Sequence, residues 1–205
     1  MESDVEFNYK WFNRDVSSAY DYINDIRNRD LRRRIRERAA FDVCYYLGRV
    51  MHHLENLTDT VYREEVDKKF TKLLSSISRV KREFPSLMDD ALLAELDNRI
   101  TKMDEIYNDF FFAVRRDDFD PKDEDIDWYL GLRTKVEFSL RGMRRVNEGV
   151  DIDYSSIINK LGVIDEILRD KLADVAKFYV KKEHKKYYRS RIQNFWWYSL
   201  MFSEM

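Results

Sequence analysis

The chain has 205 residues, of which 37% are charged, yet its net charge is only −2. One cysteine, Cys44, excludes a disulfide framework and a cysteine-type zinc site within one chain, and it points to a reducing setting. Met1-Glu2-Ser3-Asp4 lacks the basic start and apolar centre of a signal peptide, and no apolar run approaches a membrane span, so a cytoplasmic protein with no membrane partner is expected.

Five glycines and two prolines leave long stretches without a breaker. The apolar residues recur at helical spacing, and no segment alternates with a period of two. Residues 1–14 are aromatic and polar without clean period and read as a short helix packed on the rest. A strong helix follows from about Val16 to Leu57, with a break near Arg29. Its second half carries a core stripe of Ala40, Val43, Leu47, Val50, Met51 and Leu54.

The next helix, about Val61–Glu83, has the heptad-like seam Val66, Phe70, Leu73, Ile77, Val80 and Phe84. Pro85 ends it, because the residue before proline avoids helical angles, and Ser86 should cap a third helix to about Arg116. Leu93, Leu96, Ile100, Met103, Tyr107, Phe110 and Val114 form its seam. An acidic loop leads to a helix over Asp125–Asp151, capped by Asp123 or Asp125, with Trp128, Leu132, Val136, Leu140 and Met143 inward and Gly149 at its end. The last segment starts at Asp153 and carries Ile157, Leu161, Ile164, Leu168, Leu172, Val175 and Tyr179. The expected fold is all-α: one helical domain over residues 1–205, a bundle of six or seven helices.

The small net charge conceals segregation. Arg27–Arg38 holds seven Arg against Asp30 and Glu37, a local balance of +5, and Lys177–Arg191 reaches +6. The acidic loop Asp117–Asp127 stands at −6. The basic clusters are candidate phosphate contacts: Arg32, Arg33, Arg34 and Arg36 in the first, and Lys181, Lys182, Lys185, Lys186, Arg189 and Arg191 in the second, where Tyr187 and Tyr188 add ring faces on which bases could stack. A solvated helix face is the plainer account of both. The tail Phe195–Phe202 concentrates aromatic and aliphatic residues, and one small core cannot take them all. An interface between subunits, or a tail folded back on its own bundle, would use them.

Short motifs add a resemblance. Asp127-Trp128-Tyr129-Leu130-Gly131, then Leu140-Arg141, then Gly149 and Asp151-Ile152-Asp153, together with Lys81-Arg82-Glu83-Phe84-Pro85, resemble the translin/Trax family over roughly Phe70–Phe202. The resemblance implies a helical protein in a closed octameric shell that binds RNA or single-stranded DNA. In Trax-type subunits it also implies acidic residues that hold Mg²⁺, or Mn²⁺ in its place, for endoribonuclease cleavage. On the helix after Phe84-Pro85 the acids are Glu105 and Asp109, spaced so as to share a helix face. On the later helix the family's acidic positions fall on Thr134 and Phe138, and Glu137 is one residue off and able to pair with Arg141. The expected metal and catalytic set is therefore Glu105, Asp109 and Glu137. The alternative is a non-catalytic helical oligomer, serving as a nucleic-acid-binding or protein-interaction scaffold. His52 and His53 are adjacent and cannot face one metal from a helix, no phosphate-cradling glycine loop is present, and Cys44 reads as a buried small hydrophobe.

Overall fold

A computed structural model describes residues 3–58, 60–114, 123–179, 195 and 197, with the backbone alone at 90, 108–114, 123–129 and 171–179. The described residues form helices and no strand: α1 (Asp4–Arg27), α2 (Arg33–Glu55), α3 (Arg63–Glu83), the single turn α4 (Pro85–Met88), α5 (Asp90–Val114), α6 (Asp123–Val146) and α7 (Ser155–Tyr179). The all-α expectation holds. Two compact units divide the chain, Met1–Asp97 with Lys135–Ile152, and Asn98–Thr134 with Asp153–Met205.

Several boundaries differ from those expected, each for a local reason. The first helix begins at Asp4, not near Val16, because Ser3 and Glu6 form a capping box: Ser3 Oγ accepts from Glu6 N at 3.2 Å and Glu6 Oε2 accepts from Ser3 N at 3.0 Å. The break near Arg29 is present, as Asn28–Arg32 turn the chain into the α1–α2 hairpin. The helix after Pro85 lasts one turn and stops at Asp89, whose φ of −118° and ψ of −83° are not helical, so α5 starts afresh at Asp90. Ser86 lies inside that turn and does not cap. Gly149 takes a positive φ of 81° in the turn where Val150 N donates to Asn147 O, the left-handed conformation that glycine accepts at least cost.

In the first unit α1 buries Phe12, Val16, Ala19, Ile23 and Ile26 at alternating steps of four and three. On α3, Val66, Leu73, Ile77 and Val80 do the same. Helix α2 is buried on more than one side. Ala40, Val43, Leu47 and Val50 give it the expected seam, while Met51 and Leu54 are only half-buried. Phe41, Cys44 and Gly48 form a second buried strip. This strip meets the C-terminal half of α6 at backbone contact: a Cβ on Gly48 would collide with the Phe138 carbonyl, and a Cβ on Gly142 with the Cys44 carbonyl. The two contacts pair residues one turn apart on each helix in opposite order, so the helices cross antiparallel. Cys44 sits at this crossing fully buried, and burial pushes its thiol up to about 12, Lys81 opposing only weakly.

Lys81 fastens the end of α6. Its Nζ donates to Asn147 Oδ1 at 2.5 Å, lies 3.4 Å from Val146 O, and pairs with Asp89 at 3.2 Å, placing a cation at the negative end of the α6 dipole. In the second unit, Ile100, Met103 and Tyr107 of α5, Leu130 of α6, and Ile157, Leu161, Ile164 and Leu168 of α7 are buried.

The glycine crossing makes a test with an internal control. Gly142→Ala gains helix propensity but forces backbone apart, and should destabilise by about 2–4 kcal/mol. Gly162→Ala, on α7 with nothing within 4 Å of the added Cβ, should stabilise by up to about 1 kcal/mol. Urea unfolding followed by circular dichroism measures both. Equal effects would show that the α2–α6 backbones are not held in contact.

Candidate nucleic-acid interface

The α1–α2 hairpin gathers the N-terminal basic cluster at one end. Arg32 is the N-cap of α2, with no side-chain cap, and the first turn holds no acid. Arg32, Arg33 and Arg34 are exposed there, beside unsatisfied backbone N–H groups and the positive end of the helix dipole. Cations at this end cost the helix stability, so nothing in folding selects them. Arg33 has one partner on its own helix, Glu37 at 2.8 Å. Arg36 behaves differently: it is half-buried, donates from Nε to Ile26 O at the end of α1 at 2.7 Å, and lies over the Phe84 ring. It ties the hairpin together rather than facing solvent.

Further along α2, a feature appears that the sequence did not announce. Asp15 of α1 is 1% exposed, and its Oδ2 lies 2.9 Å from Arg49 Nε and 3.4 Å from His53 Nε2. These are charge contacts rather than aligned hydrogen bonds, and both carboxylate oxygens are buried without a hydrogen-bond partner among the described residues. His53 Nδ1 faces Asn8 Oδ1 at 3.0 Å, so both ring nitrogens are engaged within the protein. Arg49 donates to Tyr45 Oη and its guanidinium lies 5.6–5.8 Å from the rings of Trp11, Tyr45 and Tyr46. Burial works against its charge, but Tyr45 and Asp15 outweigh that and hold it more firmly protonated. Arg49 and His53 are one turn apart on α2, a legible spacing; their partner Asp15 is on another helix, and no local pattern links it to them.

The His52 ring lies near both His53 and Phe138, with centroids 5.5 and 5.6 Å apart. Burial, followed by the neighbouring His53, Arg141 and Arg49, lowers its pKa to about 4. Glu137 is half-buried, and Arg141 pairs with Glu55.

The expected acidic set is not assembled from the described side chains. Glu105 is exposed on α5, on the side away from buried Met103 and Tyr107. Asp109 lies one turn on in the same helix, with its side chain outside the described residues. Glu105 and Asp109 belong to one unit and Glu137 to the other. On α6, Thr134 Oγ1 donates to Leu130 O and accepts from Trp197 Nε1, and Phe138 is buried against Tyr45 and His52. Mg²⁺ requires only one or two carboxylates beside water and phosphate oxygens. Among the described residues no three His, Cys, Asp or Glu side chains gather as a metal site.

Lys181, Lys182, Lys185, Lys186, Arg189 and Arg191 lie outside the described residues. Of the aromatic tail, Phe195 and Trp197 are described, their rings stacked at 4.7 Å. Trp197 is 2% exposed, and its ring covers Arg133, which grips Asp165 through two hydrogen bonds of 2.7 and 3.0 Å. At this position the tail folds back on its own chain. No helix among the described residues is long and apolar enough to cross a membrane. No family model, no curated protein and no solved structure matches the chain.

The lowered pKa of His52 gives a signed dependence on pH. The unfolded chain takes up a proton below about 6.5, which the native ring refuses until about 4. Stability is therefore whole above the unfolded value and falls as pH drops through this window, by about 2–3 kcal/mol at the acid end. His52→Gln should remove that share of the loss, read as a smaller shift of the urea midpoint between about pH 7 and pH 4.5. An unchanged shift would assign the acid lability elsewhere.

Proposed function

We propose that this protein binds RNA or single-stranded DNA through the exposed arginines at the start of α2, as a translin/Trax-like helical oligomer. The observation that supports this most is the set Arg32, Arg33 and Arg34, exposed at an uncapped helix N-terminus with no acid in its first turn. That arrangement opposes the helix dipole and suits a polyanion, whose phosphates would meet both guanidinium groups and backbone N–H donors. The reading predicts a trade between stability and binding. Replacing Arg32, Arg33 and Arg34 together by Gln should leave the fold equally or more stable, weaken binding to a single strand, and lower the slope of log affinity against log salt by about 2. An unchanged slope would overturn this site.

Cleavage and assembly belong to the same proposal through the family resemblance. Glu105 and Asp109 on α5 would hold Mg²⁺ or Mn²⁺, which when bound would supply charge stabilisation at the scissile phosphate and an activated water. Asp109→Asn should then abolish metal-dependent RNA cleavage with RNA affinity nearly intact. Cleavage at the parent rate, or a parent without metal-dependent cleavage, would leave the non-catalytic binding oligomer as the better account. Light scattering at micromolar concentration should give a mass of several subunits, an octamer on the family's pattern, and a monomer would remove the shell from the proposal.

A further inference from the structure

The exposed basic end of α2 continues into a strip of a different kind. Arg34, Arg38, Tyr45, Arg49 and His52 follow one another at steps of three, four or seven and so share one face of α2. Trp11 and Tyr22 of α1 lie alongside. The rings touch in series: Tyr22 stacks on Tyr46 at 5.6 Å, Tyr46 meets Tyr45 edge-on at 5.0 Å, and Tyr45 meets Phe138 at 6.3 Å. Trp11, Tyr22, Tyr45 and Tyr46 are all only half-buried. Cations sit over them, with Arg14 4.6 Å from the Trp11 ring and Lys135 5.0 Å from Tyr45.

Two acids of this face, Asp15 and Asp42, lie beneath it. Asp15 is spent on Arg49, and Asp42, 6% exposed, faces Arg38 at 4.0 Å and Lys135 at 3.8 Å. Glu55 closes the far end against Arg141. Around Arg38, Tyr45 and Arg49 the outer layer is thus rings and positive charge, with Asp15 and Asp42 buried below, while Glu55 is exposed and held by Arg141. Such a layer complements a ligand that is flat and apolar on its faces and anionic along its backbone, which describes a single strand and neither a duplex, whose bases are hidden, nor an acidic peptide, which offers no flat faces.

We propose that this strip is a base-stacking platform, on which the unpaired bases of a single strand lie against Trp11, Tyr45 and Tyr46 while its phosphates run toward Arg38 and the arginines at the start of α2. Arg49, held from below by Asp15, keeps these rings in place and adds a cation among them. The proposal rests on the nucleic-acid reading above and adds to it that bases, and not only phosphates, are bound.

Strands with and without bases separate the two. Fluorescence anisotropy in EDTA compares a short oligothymidylate with an abasic strand of equal length and charge. The parent protein should bind the oligothymidylate roughly five- to hundredfold more tightly, the range expected for stacking of about one base. Trp11→Leu and, separately, Tyr45→Leu should collapse that ratio while leaving the salt slope unchanged, and both variants keep apolar bulk so that the fold survives. A lesion that merely loosened the hairpin would weaken both strands together and leave the ratio standing, which overturns the platform, as would equal parental affinity for the two strands. Those results leave the phosphate-binding reading intact. Failure to bind either strand would defeat both.

Discussion

Much of the first unit follows from the contact between α2 and α6, where Gly48 meets the Phe138 carbonyl and Gly142 meets the Cys44 carbonyl. Two backbones can approach this closely only where neither helix carries a Cβ at the point of crossing, so one glycine is needed on each. The consequence is geometric. With α1 and α3 against one side of α2 and α6 against another, α2 has apolar residues on both, and only one narrow face remains for its polar side chains. That is the face carrying Arg34, Arg38, Tyr45, Arg49 and His52. The site is therefore a by-product of how tightly the helix behind it is packed.

The same constraint decides which cations remain available. Arg36 points back to the α1 terminus and is used in closing the hairpin, whereas Arg32, Arg33 and Arg34 sit beyond the packed part of the helix. Arg49 is intermediate. It lies over Asp15 in a nearly closed place, where losing the carboxylate would leave a charge poorly solvated, so Asp15 and Arg49 have to be kept or lost together. The rings around Arg49 add attraction of about 0.5–2 kcal/mol for a guanidinium shielded from water. They also fix the Tyr45 and Tyr46 planes, and for a flat ligand that preorganisation matters more than the extra stability.

The sequence was most legible where one period governed a whole element. The three-four seam of α3, the break near Arg29 and the burial of Cys44 were all readable, because each depends on residues close in sequence. It was less legible where a short-range signal competed with the period. Ser3 and Glu6 start α1 twelve residues ahead of its apolar run, and Asp89 interrupts a stretch whose apolar spacing runs on smoothly. Least legible was anything that needs two helices at once: the Asp15–Arg49–His53 cluster, the seating of Trp197 over Arg133, and the glycine crossing, in which each glycine alone is only a weak point in a helix.

That last class also separates binding from cleavage in this protein. Binding a polyanion needs many cations in loose register, and a cluster visible in sequence, such as Arg27–Arg38, is close to sufficient. Cleavage through a metal needs carboxylates held near one another to within a fraction of an ångström, and that depends on which helix faces meet. On α6, Thr134 is hydrogen-bonded to Leu130 and Trp197, and Phe138 is packed under Tyr45 and His52, so each side chain is already engaged by its neighbours.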